Sequence, residues 1–295
     1  MAARVWRWSR NKSRVPLVTN APTRPPNGPT RRGSTSRRCC AVSGFAQVDD
    51  RRAPAGNEIS AKLRVSLDRG FRYLLGKKRP SGDFDKEFPV AVDALVGLAF
   101  LAGGYTERTG PAEYTAAVRS CTTALLNRQL PCGYFSDGKS RMYGHGFATL
   151  YFAELYGMSH RRENIQDALR RALRVIELSQ GKDGGWDYEP HAQCGGSITG
   201  ASDTSITVCQ TMALRAARNL GIAVDTRVIK AARRYIEKAQ NPDGGFRYRS
   251  QLNNYVLDKS AFPRSAAGVC ILYSLGDYNS AAIRKSGANC SACSG

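Results

Sequence analysis

The chain has 295 residues, 42% of them hydrophobic, and a formal net charge of +20. That length buries a sizeable core in one domain, with or without appendages. The longest apolar stretch, Phe88 to Gly104, carries Pro89 and Asp93 inside it, which excludes a membrane-crossing helix.

The charge divides into two parts. Before Asp49 there is no acidic residue, while Arg4, Arg7, Arg10, Lys12 and six further arginines up to Arg38 are basic. The remaining chain holds 34 of the 44 basic residues against all 24 acidic ones. Residues 1–50, rich in Arg, Pro, Ser and Thr, cannot bury enough apolar surface to offset their ordering entropy, so a disordered basic arm is expected. Val15-Pro16-Leu17-Val18 is too short for the apolar core of a secretory signal, and the expected location is cytoplasmic or peripheral to a membrane. An acid-free, Arg-rich start suits a transit peptide, a nucleic-acid-binding arm or an incidental extension. Nothing downstream carries a nucleic-acid motif, so no nucleic acid is expected as partner.

From residue 55 the chain reads as helices in a fixed order. An amphipathic helix over Ile59–Lys77 leads to the turn Ser81-Gly82-Asp83-Phe84 and an apolar helix over Phe88–Ala102, closed by Gly103. The order recurs with Ala112–Arg128, Cys132-Gly133-Tyr134-Phe135 and Met142–Tyr156, closed by Gly157. It recurs again with Asn164–Gln180, Gly184-Gly185-Trp186-Asp187 and Asp203–Leu220, closed by Gly221. The last copy is Asp225–Gln240, Gly244-Gly245-Phe246-Arg247 and Phe262–Leu275, closed by Gly276. Aligned on Gly82, Gly133, Gly185 and Gly245, the turns stand 51, 52 and 60 residues apart. Within Asp225–Gln240, Val228, Ala231, Ala232, Tyr235, Ile236 and Ala239 fall on one helical face. The closing glycines are the residue type expected at left-handed C-caps.

Polar-faced helices belong outside a double layer and apolar ones inside. Repeated with constant curvature, the pair builds an all-α fold, an α/α toroid over residues 55–285. The small-residue stretch 286–295 is expected to be a disordered tail. Nine cysteines form no regular framework, and Cys121, Cys209 and Cys270 sit in apolar helical stretches as small hydrophobes. Cys290-x-x-Cys293 and His191-x-x-Cys194 lack the partners a metal site needs.

Gln180-Gly181-Lys182-Asp183-Gly184-Gly185-Trp186 and Gln240-Asn241-Pro242-Asp243-Gly244-Gly245-Phe246 both read Q-x-x-x-G-G-aromatic. The pattern resembles the glutamine–tryptophan repeat of squalene and oxidosqualene cyclases, shared more loosely with protein prenyltransferase β subunits, and the resemblance covers roughly residues 60–276. It implies a structural duty for Gln180, Gly184, Gly185, Trp186, Gln240, Gly244, Gly245 and Phe246. It also implies five to six inner helices, so with four visible pairs either the ring is open or the chain departs from the pattern near Asn279.

The resembling cyclases carry an Asp-x-Asp-Asp-Thr motif at an inner-helix head, whose middle Asp protonates the substrate. Here the matching stretch is Gly200-Ala201-Ser202-Asp203-Thr204-Ser205. Either alignment keeps one carboxyl of three, leaving Asp203 as candidate acid or as helix N-cap. The resembling prenyltransferases bind zinc through Asp-x-Cys and a later His. Asp203-Thr204-Ser205 lacks the thiol and no His follows His191, so neither a metal nor a cofactor is expected. Asp93, Tyr143, His145, Tyr188, Tyr248 and Arg264 are candidates for lining a central cavity. Arg170, Arg171, Arg174, Arg233 and Arg234 lie on outer helices, as a solvated face or a contact for an anionic membrane.

The resemblance implies an isoprenoid or other lipid ligand in the cavity, and cyclase-like chemistry if the chain is catalytic. A non-catalytic toroid binding a lipid or protein is the alternative, and a zinc prenyltransferase subunit the remote third.

Overall fold

The computed structural model describes residues 60–158, 163–198, 202–250 and 259–292, with residues 61 and 287–292 described in backbone only. All belong to one compact unit, Asn57–Gly295. The expected basic arm, 1–50, and the pair Gly200-Ala201 lie outside the described residues.

The described residues form nine α-helices: α1 (Ala61–Leu75), α2 (Pro89–Ala102), α3 (Ala112–Leu126), α4 (Arg141–Met158), α5 (Glu163–Leu178), α6 (Thr204–Asn219), α7 (Thr226–Ala239), α8 (Phe262–Ser274) and α9 (Ala281–Ala292). No named strand occurs among these residues. The apolar helices α2, α4, α6 and α8 pack side by side in that order, and α3, α5, α7 and α9 each lie on the inner helix before them. Among the described residues α2 and α8 do not pack on each other as successive inner helices do, so the four form an arc. The core between the layers includes Phe100, Tyr151, Phe152, Trp186, Tyr235 and Phe246, all fully buried. Their removal from water is the main favourable term for the fold.

Four turns carry one design. Within these turns the glycines with positive φ are Gly82 (90°), Gly133 (98°), Gly184 (98°) and Gly244 (88°). The true register is therefore one residue away from the alignment on Gly185 and Gly245, and the spacings become 51, 51 and 60. In each turn the same two backbone bonds close the loop, as in Gly181 N to Gly185 O (2.8 Å) and Gly184 N to Gly181 O (2.9 Å). A Cβ on Gly133, Gly184 or Gly244 would stand 2.6, 2.3 or 2.4 Å from the carbonyl oxygen of Arg171, Ala231 or Lys285 on the next outer helix. Only glycine satisfies both the dihedral and that approach.

The glutamine completes the contact. Gln180 Nε2 donates to Gly184 O (2.8 Å) and across to Val228 O of α7 (2.9 Å). Gln240 Nε2 does the same to Gly244 O (3.1 Å) and Ala282 O of α9 (2.9 Å). Gln129 repeats it to Gly133 O (3.0 Å) and Ala168 O of α5 (2.8 Å). In the first turn the position belongs to the exposed Lys78, and the Cβ position of Gly82 stays 3.9 Å from Ser120 Oγ. A groove of about 340 Å³, lined in part by Ser81, Gly82, Ser120 and Arg128, occupies the unclamped place.

Three expectations change. Gly221 and Gly276 have the left-handed φ of 78° and 87°, but after α2 that role falls to Gly104 (85°) rather than Gly103. Gly157 is inside α4, which runs on to Met158. The stretch expected as a tail from 286 is helical through Ala292, while 293–295 lie outside the described residues. Its helix is started by Ser280, whose Oγ accepts from Ile283 N (3.3 Å). It is held to the fourth turn through Ser286 Oγ, which donates to Gly244 O (3.0 Å). Cys132 and Cys194, which carried no pairing signal in the sequence, form a disulfide.

Replacing Gln180 by Ala removes two hydrogen bonds and should cost about 1–3 kcal/mol. The matching Lys78→Ala should stay within about 0.5 kcal/mol, as expected for an exposed residue without such bonds. Urea unfolding of the two variants beside the wild type measures both.

Candidate functional site

Each turn delivers the amide hydrogen of its aromatic residue to a buried side chain on an inner helix. Phe84 N donates to Asp93 Oδ1 (2.8 Å), Phe135 N to His145 Nδ1 (3.1 Å), Trp186 N to Thr207 Oγ1 (3.1 Å) and Phe246 N to Ser265 Oγ (3.1 Å). All four acceptors are fully buried. Asp93 and His145 thus stand at equivalent places and bind the turn. His145 receives the Phe135 amide on Nδ1, so its proton is on Nε2, which donates to Ala172 O (3.1 Å). Burial pushes its imidazole down to about 4, with the Ala172 carbonyl acting in the opposite direction.

Asp93 is the one ionisable acid among those four acceptors. Arg128 lies between two carboxyls and gives Asp83 Oδ2 the bond of 2.8 Å, leaving Asp93 Oδ2 at 3.9 Å. For Asp83, burial works upward but is outweighed by hydrogen bonds from Ser81 and Arg128 and by the charges of Arg79 and Arg128, which hold it below the usual range. For Asp93, burial pushes the carboxyl up to about 6, against the Phe84 amide and Arg128, and Asp83 and Asp85 add to the rise. Its second oxygen has no hydrogen-bond partner.

Tyr143, Tyr188, Tyr248 and Asp203 come together around the heads of α4 and α6. Asp203 is buried and N-caps α6: Oδ1 accepts from Ser205 N (2.7 Å) and from Ser205 Oγ (2.6 Å). Oδ2 accepts from Tyr188 OH (2.8 Å). The Tyr188 hydroxyl lies 2.5 Å from Tyr248 OH, and Tyr143 OH lies 2.5 Å from Ser205 Oγ. Since Tyr188 and Ser205 spend their protons on Asp203, Tyr248 and Tyr143 are the outer donors. Two chains, Tyr248 to Tyr188 and Tyr143 to Ser205, therefore converge on one carboxylate. Burial raises all three phenols above their ordinary range, which keeps them protonated as donors.

The backbone builds this cluster from successive turns. Asp203 N donates to Trp186 O (2.8 Å), Thr204 N to Tyr248 O (2.9 Å) and Met142 N to Tyr188 O (3.0 Å). The otherwise unpaired amides at the helix heads are thereby satisfied. The rings of Tyr143 and Tyr188 meet edge to face at 5.9 Å, and Arg141 stands 5.9 Å over Tyr188. Tyr143, Tyr188 and Tyr248 remain half-buried, so part of each ring stays open to solvent. Ser205, the link between Asp203 and Tyr143, was not singled out by the sequence; its place two residues after an N-cap Asp was the available signal.

Arg264, in the first turn of α8, donates through Nη2 to Lys259 O (2.6 Å) and is half-buried. On the outer helices Arg171 pairs with Asp167 (3.0 Å), Arg174 with Glu177 (3.6 Å) and Arg233 with Asp277 (3.1 Å), while Arg170 and Arg234 are exposed. Among the described residues no three of His, Cys, Asp and Glu stand together as a metal set would. No described helix is long and apolar enough to cross a membrane.

No protein family and no curated protein sequence matches the chain. Solved structures do match in fold. A type II terpene cyclase from Scytonema, in complex with its product merosterolic acid A, is 17% identical, covers 79% of this chain and has a TM-score of 0.52. The same enzyme with its substrate geranylgeranyl dihydroxybenzoate is 18% identical over 79% of this chain, with a TM-score of 0.51. A glycosyl hydrolase of family 88 from Bacteroides vulgatus is 14% identical over 76% of this chain and 69% of its own, with a TM-score of 0.54. The chain spans 64% and 63% of the length of the two cyclase chains. The protein has the α/α toroid fold that these enzymes share.

Asp93→Asn keeps an acceptor for Phe84 and removes the buried charge. The folded-state value of about 6 lies above the unfolded carboxyl, so the wild type binds its proton more tightly when folded and loses stability as pH rises from about 4 through 6. The variant's stability relative to wild type should therefore rise over that window, by up to about 3 kcal/mol, and level off above it. Thermal unfolding at pH 4.5 and 8 reads the difference.

Proposed function

We propose that the chain is a terpenoid-cyclase-like toroid that binds an isoprenoid or similar lipid chain against the tyrosines at the heads of α4 and α6, without protonating it. The observation that carries this reading is the direction of the hydrogen bonds at Asp203. Three donors occupy its two oxygens, and both hydroxyl chains run toward it. A carboxyl that starts an alkene cyclisation must hold a proton and present it to carbon, with neighbours that keep and renew it. Asp203 instead has hydroxyl and amide donors, and the two further carboxyls of the resembling motif are missing from this stretch.

Support for a lipid comes from the turns and from the fold together. The two Q-x-x-x-G-G-aromatic turns resemble those of isoprenoid cyclases, and the Scytonema enzyme carries a geranylgeranyl substrate in its complex. Half-exposed phenol rings present apolar faces that bury a hydrocarbon chain while their hydroxyls stay paired. Exposed Arg170, Arg174 and Arg234 offer attraction to anionic headgroups where such a lipid resides. The toroid alone does not choose the ligand, since a glycosyl hydrolase has the same fold.

The test presents the purified protein with a geranylgeranylated phenol and with squalene. Native mass spectrometry reports bound lipid, and gas chromatography reports any cyclised product. Expected are bound lipid, unchanged on recovery, and an affinity about tenfold weaker (1.4 kcal/mol) in Tyr188→Ala. Cyclised product that disappears in Asp203→Asn would establish an acid catalyst and overturn the reading; no bound lipid of either kind would remove its ligand.

A further inference from the structure

We propose that Cys132 and Cys194 are a redox-active pair whose reduction by a small dithiol releases residues 191–198 from the second turn. The inference is independent of what the toroid binds. The two residues are 62 apart in sequence, with Cα atoms at 5.8 Å. Cys132 immediately precedes Gly133, whose N donates to Leu130 O (2.8 Å) and whose O accepts from Gln129 Nε2 (3.0 Å), so one end of the bridge is held by the second turn. Cys194 ends a single helical turn, Ala192–Cys194, whose flanks Ala192, Gln193 and Gly195 are exposed.

The hydrogen bonds described for that turn run within it: Cys194 N donates to His191 O (2.9 Å) and Gly195 N to Ala192 O (2.9 Å). The segment is tied at its start, where His191 N donates to Ser179 Oγ (3.0 Å), and again at Ser202, which donates through N (3.2 Å) and Oγ (2.5 Å) to Asp183; between these ties the sulphur bridge joins Cys194 to Cys132. Both bridge residues are half-buried, within reach of a small thiol. Cys121 and Cys209 are buried and unpaired, and burial pushes the Cys209 thiol up to about 12, which makes them inert by comparison.

His191 Nε2 lies 3.5 Å from Cys194 Sγ. Burial, and after it the charge of Arg174, hold the imidazole below its usual range, so the neutral ring can accept the thiol hydrogen after reduction. The exchange begins when one thiolate of the dithiol attacks Cys132 Sγ and Cys194 leaves. The second thiol of the reagent then displaces Cys132. Two electrons pass from the dithiol, which becomes a cyclic disulfide, and two protons end on Cys132 and Cys194.

The test uses the full chain with dithiothreitol as the reductant. Peptide mapping without reductant should recover the Cys132 and Cys194 peptides joined. After reduction, hydrogen exchange of the amides of residues 191–198 should quicken about tenfold or more, while α4 and α6 keep their protection. Cys194→Ser should show the fast exchange from the outset and no response to dithiothreitol. Separate peptides after treatment with oxidised glutathione, or loop exchange that reduction leaves unchanged, would overturn the proposal.

Discussion

A single amide hydrogen governs each turn of this array. The N–H of Phe84, Phe135, Trp186 or Phe246 is carried into the core, where water cannot reach it, and an inner-helix side chain must accept it. A buried amide left unpaired costs about 1–3 kcal/mol, so each turn is locked to one residue of one helix. With the aromatic ring fixed, the preceding glycine is driven against the next outer helix. There the positive φ of Gly133, Gly184 and Gly244 and the absence of a side chain let backbone meet backbone. In three turns a glutamine amide then bridges to that same helix. The repeat thereby couples inner helix, turn and following outer helix through polar contacts of fixed geometry, while burial of the aromatics supplies most of the free energy.

The same arrangement creates the tyrosine cluster. Helix heads in the core expose unpaired amides, and here the carbonyls of the following turns satisfy them, which brings Tyr188 to the head of α4 and Tyr248 to the head of α6. Asp203 is drawn into this scheme as the cap of α6. Capping and acid catalysis make opposite demands on a carboxyl: a cap accepts hydrogen bonds on its oxygens, whereas a catalytic acid must give up a proton at a bare face. Ser205 and Tyr188 fill both oxygens of Asp203, so its carboxyl is committed to the cap and to the tyrosine chains.

The arc of helix pairs was legible because apolar period and glycine position are written directly in residue identity. The helix spans read from the sequence end within two residues of those observed for most elements, α6 for instance at Thr204–Asn219 against Asp203–Leu220. Gln129 escaped notice because Tyr134 replaces the second glycine of its turn, although its contacts match those of Gln180 and Gln240. The four turn acceptors, Asp93, His145, Thr207 and Ser265, share a place and a duty but no chemical type, so no pattern joined them. Asp93 and His145 stood out as chemistry-bearing residues, yet their bonds go to the turns. For Tyr188 and Tyr248 the recurrence Gly-Gly-aromatic-x-Tyr was visible, while their convergence on Asp203 depends on how neighbouring repeats stack. The α9 helix hid behind a run of small residues with no apolar stripe, one of which, Ser286, meets Gly244 of the fourth turn.

If the core-directed amide is what each repeat depends on, native-state hydrogen exchange read residue by residue by NMR addresses it most directly. The amides of Phe84, Phe135, Trp186 and Phe246 should exchange as slowly as those in the middle of α4 and α6, although all four lie in turns. Exchange at the rate of the surrounding loop residues, in any two of the four, would contradict the claim that these bonds lock the array.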